Sequence, residues 1–264
     1  MSAQTVPSTP STQSTSASPR PVSASLLSPQ RQAVMTRLLH EHFRSPIRVL
    51  EIGVWQAAGS TQVWLDNLAD GSELVLVDAW QPYASAEDLS QQGTAPSSWD
   101  YSAMDEQCEA AFQAACARVR AYQQAHRQAG VQAGVQIHLL RAPAAQALSW
   151  MRDGAFDLIY VDGDHKYAQV KSDLEHARRL VNPKHGIVCG DDLERLPDED
   201  TLALARQHLQ RDYLGAPHRF HPGVCLAVHE CFGDVQMSDG FWWTHCHGGR
   251  FTTDALPTSA ETNR

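Results

Sequence analysis

The sequence predicts a doubly wound α/β sandwich: a mostly parallel sheet with helices on both faces and a C-terminal antiparallel strand. Three observations lead there. Short β-branched runs alternate with longer segments of helical period through the middle of the chain, the pattern of strands joined by crossover helices. Phe156–Asp162 (FDLIYVD) is an apolar run, as a central strand buried on both faces requires. The 264 residues leave room for one such domain with decoration, not for two independent cores.

Each element can be justified in order. Residues 1–30 hold nine Ser, four Thr and five Pro, with one Arg and no acidic residue. Too few apolar groups remain there to offset ordering entropy, so the segment reads as a disordered tail. A single domain is expected over residues 31–254, followed by a loose tail at 255–264. A helix near Gln30–Phe43 precedes a strand at Arg48–Gly53; a second helix, about Ala58–Leu68, leads to a strand at Leu74–Asp78. Trp80 to Ser102 has no period and is rich in Ser, Gln, Trp and Tyr, which marks a long functional loop of the lid kind, with Trp80, Tyr83, Trp99 and Tyr101 as stacking surfaces. Met104–Gln128 is a long helix and Val135–Leu140 a strand; Pro143 opens the next helix.

After the Phe156–Asp162 strand, Tyr167, Val170, Leu174, Ala177 and Val181 recur at helical spacing, and Pro183 to Gly186 ends that helix. Ile187–Gly190 is a further strand running into Asp191 and Asp192. His221-Pro222-Gly223 starts a helix with Val224, Ala227, Val228 and Cys231 inward, and Val235–His247 closes the sheet with aromatic-rich strand material.

Composition excludes several classes. Lys plus Arg is 21 against 30 Asp plus Glu, a net charge of −9 without a basic stripe, so nucleic acid is not an expected partner. No window approaches the ~18 unbroken apolar residues of a membrane span, and no basic start with an apolar stretch marks export. The six cysteines therefore read as reduced thiols of a cytoplasmic protein. Cys225, Cys231 and Cys246 lie near several histidines, yet no C-x-x-C or H-x₃-H pair supports zinc.

In open α/β sheets, ligands bind beyond the carboxyl ends of the strands. Glu51-Ile52-Gly53 ends the first strand, with Ser60 and Thr61 near the following helix; this is neither G-x-G-x-x-G nor a phosphate-binding loop. Asp78 ends the second strand, 27 residues beyond Glu51, and is placed to accept hydrogen bonds from a ribose diol. Together these features indicate a nucleoside without a pyrophosphate. Asp162, Asp191 and Asp192 end two strands expected side by side. Three converging carboxylates repel unless a cation neutralises them, and all-oxygen donors favour a hard ion such as Mg²⁺. The plainer reading is that Asp164 and Asp192 cap the segments that follow. The run Glu194, Asp198, Glu199, Asp200 reads as solvated surface, and Lys166 and Tyr167 as surface or packing residues.

VLEIGVWQAAGST, LVLVDAW, FDLIYVDGDHKYAQVKSDLEHARRLVNPKHGIVCGDDL and HPGVCLAVHECFG resemble a class I S-adenosylmethionine-dependent methyltransferase. The likeness is greatest to metal-dependent O-methyltransferases of the macrocin O-methyltransferase type, over roughly Arg48 to Trp243. It implies a Rossmann-like methyltransferase sandwich. It implies Glu51 and Gly53 around the methionine end of S-adenosylmethionine, Ser60 as a further cofactor-binding residue, Asp78 on the ribose, and the Arg141-Ala142-Pro143-Ala144 turn at the adenine. It also implies Asp162 beside the cofactor, Asp162, Asp191 and Asp192 on a divalent cation, and His165 as general base. The family's Gly pair after the first strand is here Ala57-Ala58, with Gly59-Ser60 one place later.

The activity implied is methyl transfer to a hydroxyl on a sugar or small natural product, with His165 and Asp162 catalytic. A neutral His165 would give activity rising through about pH 6–7. Two other readings compete. Asp162-Gly163-Asp164 is the D-x-D pattern with which metal-dependent glycosyltransferases hold a nucleotide-sugar, and a non-catalytic cofactor-binding module could use the Ser/Pro tail to recruit partners. The acceptor is not legible, and homo-oligomer formation is left open.

Overall fold

The computed structural model describes residues 27–84, 88, 103–128 and 134–253. The two tails and most of the Trp80–Ser102 loop, Trp99 and Tyr101 included, lie outside the described residues.

The elements run α1 (Pro29–His42), β1 (Arg48–Ile52), α2 (Ser60–Asn67), β2 (Glu73–Asp78), α3 (Met104–Gln128), β3 (Gln136–Arg141), α4 (Ala144–Ser149), β4 (Leu158–Val161), α5 (Tyr167–Leu180), β5 (Gly186–Gly190), α6 (Glu199–Arg206), α7 (Pro222–Phe232), β6 (Gln236–Ser238), β7 (Phe241–His247) and β8 (Arg250–Thr252). The strands form one sheet in the order β3-β2-β1-β4-β5-β7-β6, with β8 also on β7. β1 to β5 are mutually parallel, while β7 is antiparallel to β5. This is the doubly wound, Rossmann-like arrangement expected, and its strand order reverses between β1 and β4.

Burial explains why these runs become central strands. All four residues of β4 and all five of β5 are buried, because helices cover both faces. One apolar layer packs α1, α2 and α3 against Val49, Leu74, Leu158 and Ile187. The other packs α4 to α7 against Leu50, Ile52, Ile159 and Val188. Trp64 and Tyr160 are fully buried and meet edge to face, 5.6 Å between ring centroids.

Three features differ from the sequence expectation. α1 starts at Pro29, because the Ser28 side chain accepts a hydrogen bond from the Arg31 amide (3.1 Å) and caps the helix. Residues 28–30 are therefore part of the fold rather than of a tail. The acidic run opens helix α6, where Asp198 caps by accepting from the Thr201 amide at 2.8 Å. The C-terminal strand material is three strands, because the chain turns with positive φ at Asp239-Gly240 and Gly248-Gly249. Among the described residues no helix is long and apolar enough to cross a membrane, and all six cysteines are free.

Candidate active site

The carboxyl ends of β1, β2 and β4 surround a cavity of about 470 Å³, within the usual range for small-molecule sites. The loop after β1 forms one wall. Gly53 has φ +84°, and a Cβ there would stand 1.8 Å from the Asp162 carbonyl oxygen, so only glycine lets the ends of β1 and β4 approach this closely. Trp55 (φ +49°) and Ala57 (φ +55°) also take left-handed conformations. The chain therefore keeps, with an alanine, a turn for which glycine is the usual residue, at a cost of about 1–2 kcal/mol.

Asp78 holds that loop in place. Its Oδ2 accepts from the Val54 and Trp55 amides (both 2.9 Å) and its Oδ1 from the Trp80 amide (2.6 Å). Three of a carboxylate's roughly four acceptor sites are thus filled by backbone, and one is left toward the cavity. Trp80, expected on the lid, is instead 2% exposed, packs on Phe112 (5.0 Å) and donates its indole N–H to the Trp55 carbonyl (2.8 Å).

Glu51 does not line the cavity. It is fully buried behind the loop and accepts from the Ser60 hydroxyl (2.5 Å) and the Thr61 hydroxyl (2.9 Å), tying β1 to the start of α2. Burial pushes its carboxyl up to about 8, against the pull of those hydroxyls. Ser60 does reach the cavity wall. Ala142 does not, since its amide donates to the Asp78 carbonyl (3.0 Å); the next two residues, Pro143 and Ala144, supply the apolar wall expected of that turn.

Asp162, His165, Asp191 and Asp192 all line the same cavity, so the two strand ends converge as expected. Their roles divide differently. An oxygen of Asp162, an oxygen of Asp192 and a nitrogen of His165 lie within 4.8 Å of one another, a set able to hold a metal ion. Asp191 is absent from that set, because α1 delivers the Arg31 guanidinium onto its carboxylate and the Tyr160 hydroxyl donates to it at 3.4 Å. The third ligand expected from the sequence is thus paired with an internal cation. Burial, then Asp192 and Asp162, raise the Asp191 carboxyl well above its ordinary range, with Arg31 opposing.

His165 is held on both sides: Nδ1 lies 2.7 Å from Asp212 and Nε2 lies 3.0 Å from Asp192. Burial alone would lower its pKa, but Asp212 and Asp192 outweigh it and raise the ring well above 6.5. These carboxylates therefore oppose the neutral form that a base near pH 6–7 needs. Burial likewise favours a protonated Asp192, yet His221 and His165 together draw its carboxyl below the usual range. The His221 ring lies tilted against that of His165, 4.5 Å between centroids, and pairs through Nδ1 with Glu194 at 2.7 Å. Glu194 is exposed, as expected of the acidic run, and from the surface it holds the buried His221.

A family model described as a methyltransferase domain matches residues 50–193, more than half of the chain. The chain belongs to that methyltransferase family. Among solved structures, the methyltransferase is similar to the O-methyltransferase from Bacillus cereus in complex with SAH (15% identity, 85% of this chain and 83% of that one, TM-score 0.45). It is similar also to the O-methyltransferase TomG from Streptomyces achromogenes, involved in tomaymycin synthesis, in complex with SAM (16%, 81% and 78%, 0.45). A third is CalS11, a TDP-rhamnose 3'-O-methyltransferase of calicheamicin biosynthesis (15%, 81% and 77%, 0.43). No curated protein matches.

Within the methyltransferase, Asp164 caps the turn into α5, accepting from the Lys166 amide at 3.0 Å, and stands outside every metal-competent cluster of the described residues. The D-x-D reading thereby loses its second ligand, and no cysteine joins such a cluster either. Of surface and packing, Lys166 takes the packing role: its ammonium donates to the Tyr83 carbonyl (2.5 Å) and pairs with Asp88 (3.4 Å). Arg31, Asp212, Glu194 and Asp173 were not singled out by motif. Asp173 alone left a signal, an acid on the same helical stripe as Val170, Leu174 and Ala177.

Proposed function

We propose that this methyltransferase transfers the methyl group of S-adenosylmethionine to a hydroxyl of a sugar or small natural product, assisted by a divalent cation of the Mg²⁺ type. The observation that carries the reading is the meeting of two sets of residues on one cavity: the Gly53 loop with Asp78, and Asp162, His165 and Asp192. The donor set fits a divalent cation, because two carboxylates and an imidazole offer ligand atoms within 4.8 Å of one another. A bound cation supplies Lewis acidity that lowers the pKa of an acceptor hydroxyl.

The chain's own residues do the rest. Gly53 admits the cofactor close to the backbone, and the remaining acceptor site of Asp78 takes a ribose hydroxyl. Pro143 and Ala144 face the adenine. Asp212 fixes the His165 ring through Nδ1 and so turns Nε2 toward Asp192 and Asp162, where it would hold a cation together with them. Trp55 and Tyr83 give the cavity flat apolar surfaces for a ring-shaped acceptor. Cytoplasmic residence goes with this reading of a small-molecule enzyme with free thiols.

The test is a screen of glycosides and polyphenols with radiolabelled S-adenosylmethionine, run with Mg²⁺ and with excess chelator. Chelation and Asp192→Asn should each abolish transfer while the affinity for S-adenosylhomocysteine, read by calorimetry, stays within about twofold. Full turnover in chelator would overturn the metal role. Heat on titrating a nucleotide-sugar, with none from S-adenosylhomocysteine, would overturn methyl transfer itself.

A further inference from the structure

Asp173 sits in the middle of α5, 1% exposed, yet it belongs to the wall of the cavity. Its Oδ1 accepts from the Gln169 side chain at 2.9 Å, one helical turn earlier; its Oδ2 has no hydrogen bond among the described residues. That second oxygen lies over Gly163, 3.6 Å from where a Cβ would stand, and Gly163 leaves the approach from the cavity open. An acceptor oxygen that a mostly buried carboxylate opens to a cavity is placed to take a donor from whatever fills that cavity. Burial raises this carboxyl to about 7, with Gln169 opposing and the negative Asp164 adding to the rise.

Position decides which part of a ligand reaches it. Gly163, Gly53 and Asp173 cluster where β1 and β4 end, since a Cβ on Gly53 would also meet the Gly163 Cα at 2.7 Å. Pro143 and Ala144 follow β3, whose end stands three strands, about 14 Å at ordinary strand spacing, from the end of β4 where Gly163 lies. Asp162 is turned elsewhere, with the Tyr160 hydroxyl donating to it at 3.1 Å and the His165 Nε2 standing 3.9 Å away. Resting on the cofactor reading above, we infer that Asp173, oriented by Gln169, is the binding residue for the α-ammonium group of the amino-acid portion of S-adenosylmethionine.

Calorimetry on the full chain tests this with S-adenosylhomocysteine and with methylthioadenosine, which keeps the nucleoside and thioether but lacks the amino acid. Asp173→Asn should weaken S-adenosylhomocysteine about 10- to 100-fold, the range for a hydrogen bond to a charged group, and leave methylthioadenosine within about twofold. The wild-type chain supplies a control independent of the variant's folding: the deaminated analogue of S-adenosylhomocysteine should lose a similar factor. Equal losses for both ligands, or unchanged S-adenosylhomocysteine affinity in D173N, would overturn the inference. Failure of the wild-type chain to bind S-adenosylhomocysteine at all would instead overturn the cofactor reading, and this one with it.

Discussion

At the scale of single residues, the site is a charge network in which each group depends on a neighbour from a distant segment. His165 is an example: Asp212, 47 positions later, holds its Nδ1 at 2.7 Å and is 4% exposed. Asp212→Asn should keep that hydrogen bond weakly while removing the charge that orients the ring, and turnover should fall about 10- to 100-fold, the scale for a supporting partner. S-adenosylhomocysteine affinity should not move, because Asp212 is not on the cavity wall. A parallel loss of affinity would show that Asp212 supports the fold of the site instead. That Asp78, Asp162, His165 and Asp192 meet on one cavity was legible, because strand ends face the ligand crevice in this architecture. Arg31 and Asp212 were not, since nothing local marks a charged residue whose partner lies far along the chain.

At the scale of elements, α1 links the start of the fold to its chemistry. Ser28 caps it and also bonds Asp239, Arg31 donates through Nε to the Asp239 carbonyl (2.8 Å), and the same guanidinium pairs with Asp191. A chain starting at Leu27 should therefore melt with the full-length protein. One starting at Arg31 loses the cap, worth about 0.5–2 kcal/mol, and should melt several degrees lower. Equal melting of the two would show that Ser28 contributes nothing. Helix and strand existence followed from period in most cases, α5 and β4 above all. The boundary at residue 30 and helix α6 were missed because Ser, Pro and acidic residues signal both caps and loose chain. The C-terminal hairpin is not legible as such, because its two-residue turn, Asp239-Gly240, interrupts an otherwise apolar, aromatic-rich stretch only briefly.

At the scale of the whole molecule, buried acids set the dependence of stability on pH. Glu51 titrates at about 8 in the fold and Asp173 at about 7, far above the values near 4 of an unfolded chain. The folded chain thus keeps protons that the unfolded chain releases above pH 4–5, so stability falls as pH rises from about 5 to 8. Glu51→Gln should match the wild type near pH 5 and lose less by pH 8, a flattening of up to a few kcal/mol seen as a smaller drop in melting temperature. Parallel curves would place Glu51 in an environment wetter than its full burial indicates. The same sheet that buries Glu51 gathers the strand ends into one cavity, and the central claim concerns what fills it. A crystal structure of the full chain grown with S-adenosylhomocysteine tests that claim most directly. The account predicts the ribose within hydrogen-bond distance of Asp78, the adenine against Pro143 and Ala144, and the sulfur toward Asp162 and His165. Ligand bound elsewhere, or in this cavity with its adenine at the Asp162 end, would contradict it.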